Sequence, residues 1–440
     1  MQLRLIPLLL ATLLFATGCA TYQAPRPVND STWLKNALSL TRNDLTVSVA
    51  LPDDRQTEDH FGLPLQKGKV QPVWVRVTNP SSRAYWLLPA YTDPKYYSSA
   101  EVSHRFRRFL TSTETAQRQA MRIEELIFDT YIPPGSDQSG FIYTRYDEGS
   151  QVFSIALLST GSLQRFDFLV PTARLRTDHL ALSGSGKNGE TRQVLGNNTD
   201  LSDLAHLRES LSRLPGTTTD PGGAAAGDPL NFFVIGPWNV LFTALISAGW
   251  DETELLDTYT ALKTTQAFMF QTDYRHSPIS PLYVAGRRQD AAFQKIRENI
   301  HARNHLRLWL TSMSYKGHSV WLGQISRDIG IRFTTRTPWL TTHEIDPDVD
   351  GARWSLVQDM ILAQCVEKIG FVDGGFQAPP IAPRYNLTGD PYFTDGLRAV
   401  LFLSPTPVGA DEIHILPWSH PPQGGLSQPG DCLKLFAPIR

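Results

Sequence analysis

The residues of this chain best suited to chemistry lie in a few short stretches. The densest is Thr342-His343-Glu344-Ile345-Asp346-Pro347-Asp348-Val349-Asp350-Gly351-Ala352-Arg353. Asp346, Asp348, Asp350 and Gly351 match the first half of a calcium loop, but the twelfth position is Val357, where a bidentate glutamate is needed. Two readings compete. Packed carboxylates raise one another's pKa unless a cation or an arginine relieves them, so Asp346, Asp348 and Asp350, beside Arg353, are candidate ligands of a divalent cation. The same acids suit a helix N-terminus, with Asp350 as its cap. The second stretch is His305-Leu306-Arg307-Leu308-Trp309. Alternation puts His305, Arg307 and Trp309 on one sheet face and the leucines on the other. Imidazole, guanidinium and indole together suit an anionic or sugar-like ligand, since arginine grips carboxylate or phosphate with two donors; equally, His305 and Arg307 can pair with structural acids. The third group is Arg288 and Asp290 after a strand, with Arg327-Asp328 in a strand turn, positions that carry either function or surface ion pairs. No spacing fits a His-Glu-x-x-His helix or a Gly-x-Ser-x-Gly elbow. Ser183–Gly189 falls short of a phosphate loop, because Ala181 and Asn188 stand where glycine and Ser/Thr are required.

The composition bounds what these residues can serve. With 440 residues, 41 basic and 43 acidic side chains, and 41% apolar content, the chain can bury two or three cores and is not disordered. Only its start carries a long apolar run, which excludes a polytopic membrane protein, and a near-neutral charge argues against nucleic acid as a partner. Arg4 followed by the uncharged run Leu5–Thr17 reads as a secretory signal, too short to span a bilayer. It ends Ala16-Thr17-Gly18-Cys19, which resembles a bacterial lipobox; the resemblance implies cleavage after Gly18 and acylation of Cys19, including palmitate. Ala20 in place of an aspartate points to the outer membrane. Cys365 and Cys432 either pair in an oxidising periplasm or stay as two thiols, Cys365 buried on a helix.

The elements that must position these groups follow from pattern. We expect an α+β, multidomain chain: a signal peptide over 1–18, a tether over 19–43, a β-sandwich domain over 44–182 and a linker with a short helix over 183–227. An α/β layered domain with a mixed, largely antiparallel sheet follows over 228–404, then a Pro/Gly-rich tail over 405–440 packing on that domain. Runs such as Leu45–Val49, Val73–Val77 and Gln151–Leu157 alternate as half-buried strands do. Ser99–Asp129 reads as a helical insertion capping the sandwich. In the second domain the pattern predicts a helix over Trp238–Ala248 stopped by Gly249, a helical turn carrying Phe293 and Ile296, and strands over His305–Ser312, Ser319–Ser326 and Gly330–Thr335. Lys316-Gly317 forms the hairpin between the first two of these strands, and a further helix spans Gly351–Lys368. A Gly-rich dinucleotide turn is absent.

Several stretches stand in a familiar order: Gly227-Asp228-Pro229-Leu230-Asn231, Ser280-Pro281-Leu282-Tyr283, Gly286-Arg287-Arg288-Gln289-Asp290, His305–Trp309, Arg327-Asp328-Ile329-Gly330, Thr342–Asp350 and Gly389-Asp390-Pro391-Tyr392-Phe393-Thr394-Asp395-Gly396. Through them residues 228–404 resemble the C-terminal domain of LssY-like proteins. In relatives this domain is joined to membrane domains resembling phosphatidic-acid phosphatases or DedA transporters, and the name implies a link to secretion, without a settled activity. Phe61-Gly62-Leu63, Gln71-Pro72-Val73-Trp74 and Pro133-Pro134-Gly135 resemble the companion domain of lipoprotein members. The expectation is an outer-membrane lipoprotein facing the periplasm, anchored by lipid, whose LssY-like domain binds an envelope or secretion-related protein or an anionic envelope ligand. The competing reading is a metal-assisted envelope hydrolase built from His305, Asp328 or His343 with the Asp346, Asp348 and Asp350 carboxylates around a divalent cation.

Overall fold

Strand-forming runs in the first half of the chain and alternating strands and helices in the second produce an α+β, multidomain fold. The computed structural model describes residues 30–107, 112–170, 175–177, 195–257, 260, 274–297, 302–333 and 341–420. Two units result, one from residues up to Asp147 with Phe153–Phe168, the other from Glu148–Val152 with Leu169 onward. The signal segment, Cys19, the Ser183–Gly189 stretch and Cys432 lie outside the described residues.

The first unit holds two four-stranded sheets. One has the order β1 (Leu38–Arg42), β2 (Leu45–Ala50), β3 (Val70–Asn79), β6 (Ser136–Arg145); the other, β5 (Tyr131–Ile132), β4 (Tyr85–Leu87), β7 (Gln151–Ser159), β8 (Ser162–Val170). Period-two alternation divides β3 cleanly. Val73, Val75 and Val77 fill one buried face, while Trp74 faces Phe61, Val102, Phe106, Ile123 and Phe141 on the other. Those partners come largely from helix Asp54–Phe61 and from helices Ser99–Arg107 and Thr113–Glu125, the last two forming the expected helical insertion. Helix Asp54–Phe61 begins with a capping box, Asp53 and Gln56 each accepting the other's backbone N–H. The second sheet buries Leu87, Ile155, Leu157, Phe166 and Phe168, and Arg42 of β1 donates to the Arg165 carbonyl of β8 at 2.9 Å. The expected tether is shorter than its 19–43 span. Asp30–Leu34 is a helical turn whose Asp30 accepts from Trp74 Nε1 and Ser139 Oγ, and whose Trp33 is buried on Phe141.

The second unit is organised by a ten-stranded mixed sheet, ordered β13 (Asp251–Glu252), β16 (Ala291–Ile296), β17 (Arg303–Tyr315), β18 (His318–Phe333), β12 (Phe232–Ile235), β23 (Leu397–Leu403), β20 (Val366–Asp373), β24 (His414–Ile415). Additionally, β19 (Thr341–Ile345) pairs with β18, and β9 (Leu195–Leu201) pairs in parallel with β17. One face packs Phe232, Val234, Leu306, Leu308, Trp321, Leu401 and others against helices Trp238–Ser247 and Val349–Leu362. The opposite face is apolar at one end, where Phe233, Trp309, Leu322 and Phe402 meet helix Leu204–Ser212, and polar at the other.

Several expectations are corrected here. Phe293 and Ile296 sit on a strand, β16, whose backbone pairs with β17 on one side and β13 on the other, and whose residues Ala291–Gln294 are buried on both faces. The two strands expected at Ser319–Ser326 and Gly330–Thr335 are one, so Arg327-Asp328 lies inside β18; a register shift between Asp328 and Gly330 marks where β19 takes over pairing. The C-terminal helix stops at Leu362 rather than Lys368, since Gln364 turns left-handed (φ 58°) and β20 begins at Val366. The 183–227 linker holds its expected short helix, Leu204–Ser212, but also two strands that were not expected, β9 and β10 (Thr217–Thr219), the latter pairing with β11 (Ala226–Pro229) and β14 (Tyr283–Val284). The Lys316-Gly317 hairpin stands as expected, both residues at positive φ.

Candidate functional site

The polar end of the large sheet brings together three of the expected residues, His305, Arg307 and Asp328. Strand β17 presents Arg303, His305 and Arg307 on one face, in line with buried Trp309. Antiparallel register sets His305 against Ser326 and Arg307 against Gln324 on β18, with Asp328 two residues further along the same face. His305 also sits opposite Gln294 of β16. All seven of these polar residues are buried, so each must find a partner within the protein.

Most do. Arg307 donates to Gln324 Oε1 at 2.8 Å and, through Nη2 and Nε, to the Ser280 carbonyl at 2.9 and 3.2 Å. Arg303 donates to Gln294 Oε1 at 2.7 Å and to Ser277 Oγ. His305 Nε2 lies 3.4 Å from Asp328 Oδ2. Gln324 is different. Accepting from Arg307 fixes its oxygen, so its Nε2 is a donor, and among the described residues that fully buried donor has no hydrogen-bond partner.

Two carboxyl groups, Asp328 and Asp228, feel the charge of these arginines, and Asp390 lies close enough to act on both. Burial lifts Asp328 to about 8 against the pull of Arg307 and Arg303, and Asp228 and Asp390 add to the lift. Burial likewise raises Asp228, with Arg307 and Asn386 opposing. Asp228 accepts from Asn386 Nδ2 at 3.0 Å, and Asp390 accepts from Thr388 Oγ1 at 2.6 Å. Asp228 and Asp390 both stand in Gly-Asp-Pro triplets, at 227–229 and 389–391. That repetition is the signal by which sequence reasoning could have found them; Arg303, Gln324 and Asn386 carried no signal beyond alternation or proximity to a motif.

The other candidates go elsewhere. Asp346, Asp348 and Asp350 do not converge on a cation site. Asp348, not Asp350, caps the Val349–Leu362 helix by accepting from Gly351 N at 3.0 Å. Asp346 Oδ1 accepts from Asp348 N at 3.0 Å, and its Oδ2 faces Arg327 Nη1 at 3.7 Å. Asp350 accepts from Thr394 Oγ1 and Asp395 N, both at 2.7 Å. Burial, helped by Asp395, holds Asp350 up at about 6 although Arg353 is 3.3 Å away. Arg353 is fully buried and grips Asp395 with two donors at 2.9 Å, a structural clamp on the helix. Among the described residues no group of three His, Cys, Asp or Glu is arranged to hold a metal ion. Asp290 is bound by Arg287 and accepts from Leu310 N at 2.6 Å, which pins the loop before β16; Arg288 lies in the two-residue strand β15 (Arg287–Arg288). His343 pairs by backbone with Ile331, but its side chain lies outside what is described. Cys365 is buried, its Sγ 3.3 Å from the Met360 carbonyl, and any link to Cys432 falls outside the described residues.

Residues 209–397 match the family model described as LssY C-terminus. No curated protein matches the chain.

Proposed function

With residues 209–397 forming an LssY-like C-terminal domain, we propose that the protein is an outer-membrane lipoprotein, acylated at Cys19 after loss of residues 1–18, whose LssY-like domain binds an anionic envelope ligand. The ligand site in this reading is the polar end of the large sheet. The observation that carries it is the buried Gln324 Nε2 donor, without a partner among the described residues, beside Arg307. A buried donor left open is costly, about 1–3 kcal/mol, and an acceptor from a ligand relieves it. Electrostatics supports an anion. With Asp328 held at about 8, that carboxyl is protonated at neutral pH and does not offset Arg303 and Arg307.

The test is thermal unfolding and calorimetric titration of the chain with inorganic phosphate, glycerol phosphate and citrate. We expect at least one anion to raise Tm by mass action, and His305→Gln and Gln324→Leu to reduce that rise while leaving the circular dichroism spectrum intact. No rise with any anion, or equal rises in parent and variants, removes the binding reading.

One observation favours a second reading, hydrolysis. His305 and Asp328 are 3.4 Å apart, and a carboxyl near 8 is poised for proton transfer close to neutral pH. In that case p-nitrophenyl phosphate turnover, with and without Mg²⁺ or Mn²⁺, is lost in His305→Gln. No turnover by the parent leaves only binding.

A further inference from the structure

The second sheet of the first unit carries apolar side chains on the face that alternation turns away from its core. Tyr131 of β5, Trp86 of β4, Leu158 of β7 and Leu163 of β8 are 42, 45, 43 and 49% exposed. They belong to four adjacent strands. Trp86 stands directly opposite both Tyr131 and Leu158, and the Trp86 and Tyr131 rings are 5.4 Å apart. The Ser154 Oγ–Asp167 hydrogen bond of 2.6 Å joins β7 to β8, and the two-residue turn Thr160-Gly161 between these strands puts Leu158 across from Leu163. The four residues therefore form one row crossing the whole sheet. A single exposed leucine needs no explanation, whereas a contiguous row of this kind marks an interaction surface.

We infer that this row docks on the surface of a lipid bilayer, holding the first unit flat against the membrane to which Cys19 tethers it. The inference rests on the lipid-anchor reading of Cys19. Two considerations select the bilayer over a protein partner. First, Trp and Tyr have amphipathic rings that settle at the headgroup level, with leucine reaching the acyl boundary beside them. Second, the tether is short. Only residues 20–29 separate Cys19 from the turn beginning at Asp30, so even a fully extended connection keeps the unit within about 40 Å of the anchor. At that reach the effective concentration of membrane surface is high, and a patch of weak intrinsic affinity stays engaged. The acids closest along these strands are already bonded: Asp167 to Ser154 and Arg165, Asp129 to the Tyr131 backbone.

Two measurements separate the anchor from the face. Metabolic labelling with a radioactive fatty acid reports the anchor, and loss of label in Cys19→Ser confirms its site. The docking face is tested without any lipid on the protein. The chain from residue 19 onward carrying Cys19→Ser is co-sedimented with vesicles of phosphatidylethanolamine and phosphatidylglycerol at millimolar lipid. We expect measurable binding that falls at least fivefold on adding Trp86→Ser and Leu163→Ser, and that Met121→Ser, at an exposed apolar position on a different element, does not reduce. Circular dichroism verifies that the variants are folded. Absence of binding, or binding unchanged by the two substitutions, overturns the docking face whatever the labelling shows. So does a dimer in sedimentation that Trp86→Ser dissolves, because the row is then an interface between two copies.

Discussion

Asp328 shows how a single side chain can tie the candidate site to stability. Its carboxyl is raised from 3.8 to about 8, chiefly by burial, while Arg307 and Arg303 pull it down and Asp228 and Asp390 push it up; His305 lies alongside. The folded pKa exceeds the unfolded one, so between those two values the folded protein holds the proton more tightly. Stability therefore falls as pH rises through that window and levels off above it. Asp328→Asn keeps the shape and removes the ionisation. Its unfolding temperature should match the parent's at about pH 3, below both values, and exceed it increasingly up to about pH 9, by an amount on the order of several kcal/mol at most. Thermal unfolding followed across that range checks it, and a constant offset between the two proteins would show that Asp328 does not titrate as described. Period-two alternation made the shared face of His305, Arg307 and Trp309 legible beforehand. The acids around them were not legible, because Asn386 meets Asp228 across 158 residues of chain and no local pattern encodes such a meeting.

At the scale of elements, the β12–β18 pairing depends on Gly323. Register sets it opposite Phe232, and a Cβ there would lie 2.0 to 2.4 Å from the Phe232 ring. The ring covers the strand where glycine leaves a gap, which offsets the usual weakness of glycine inside a sheet. Gly323→Ala should destabilise by about 1–3 kcal/mol through overpacking, and Phe232→Leu in the same chain should recover part of that loss in a double-mutant cycle. Additive effects in denaturant unfolding would refute the steric account. Asp348 illustrates a different limit of pattern reading. The acidic run before helix Val349–Leu362 announced a helix start, but which of three acids caps it depends on where the chain enters. Proline at 347 and the turn bond from Asp348 N to Asp346 bring Asp348 to Gly351 N. Phe293 was misassigned because a short apolar run has no decisive period when both sheet faces are buried.

Over the whole molecule, the family match ends at 397, where β23 begins. That strand lies between β12 and β20 and contributes Ala399 and Leu401 to one core and Val400 and Phe402 to the other. A fragment of residues 209–397 should therefore fail to fold, while one of residues 195–420, which keeps β9, β23 and β24, should unfold cooperatively; far-UV circular dichroism and a thermal melt distinguish them. If the shorter fragment melts as sharply, β23 is dispensable and the core assignment is wrong. No helix among the described residues is long and apolar enough to cross a membrane.

What this sequence determined alone is whatever depends on neighbours along the chain. Alternation set the faces of β3 and β17, Lys316-Gly317 set the hairpin, and Gly249 and Asp53 set helix ends, since backbone sterics and capping act within a few residues. Only the tertiary structure decided which charges meet. It brought Asp228 to Arg307 and Asn386 from distant parts of the chain, separated Asp346, Asp348 and Asp350 into three different hydrogen-bonding roles, and fused two expected strands into β18. Each of those outcomes turns on long-range pairing and on the cost of burying an unpartnered polar group, and both exist only once the chain has closed on itself.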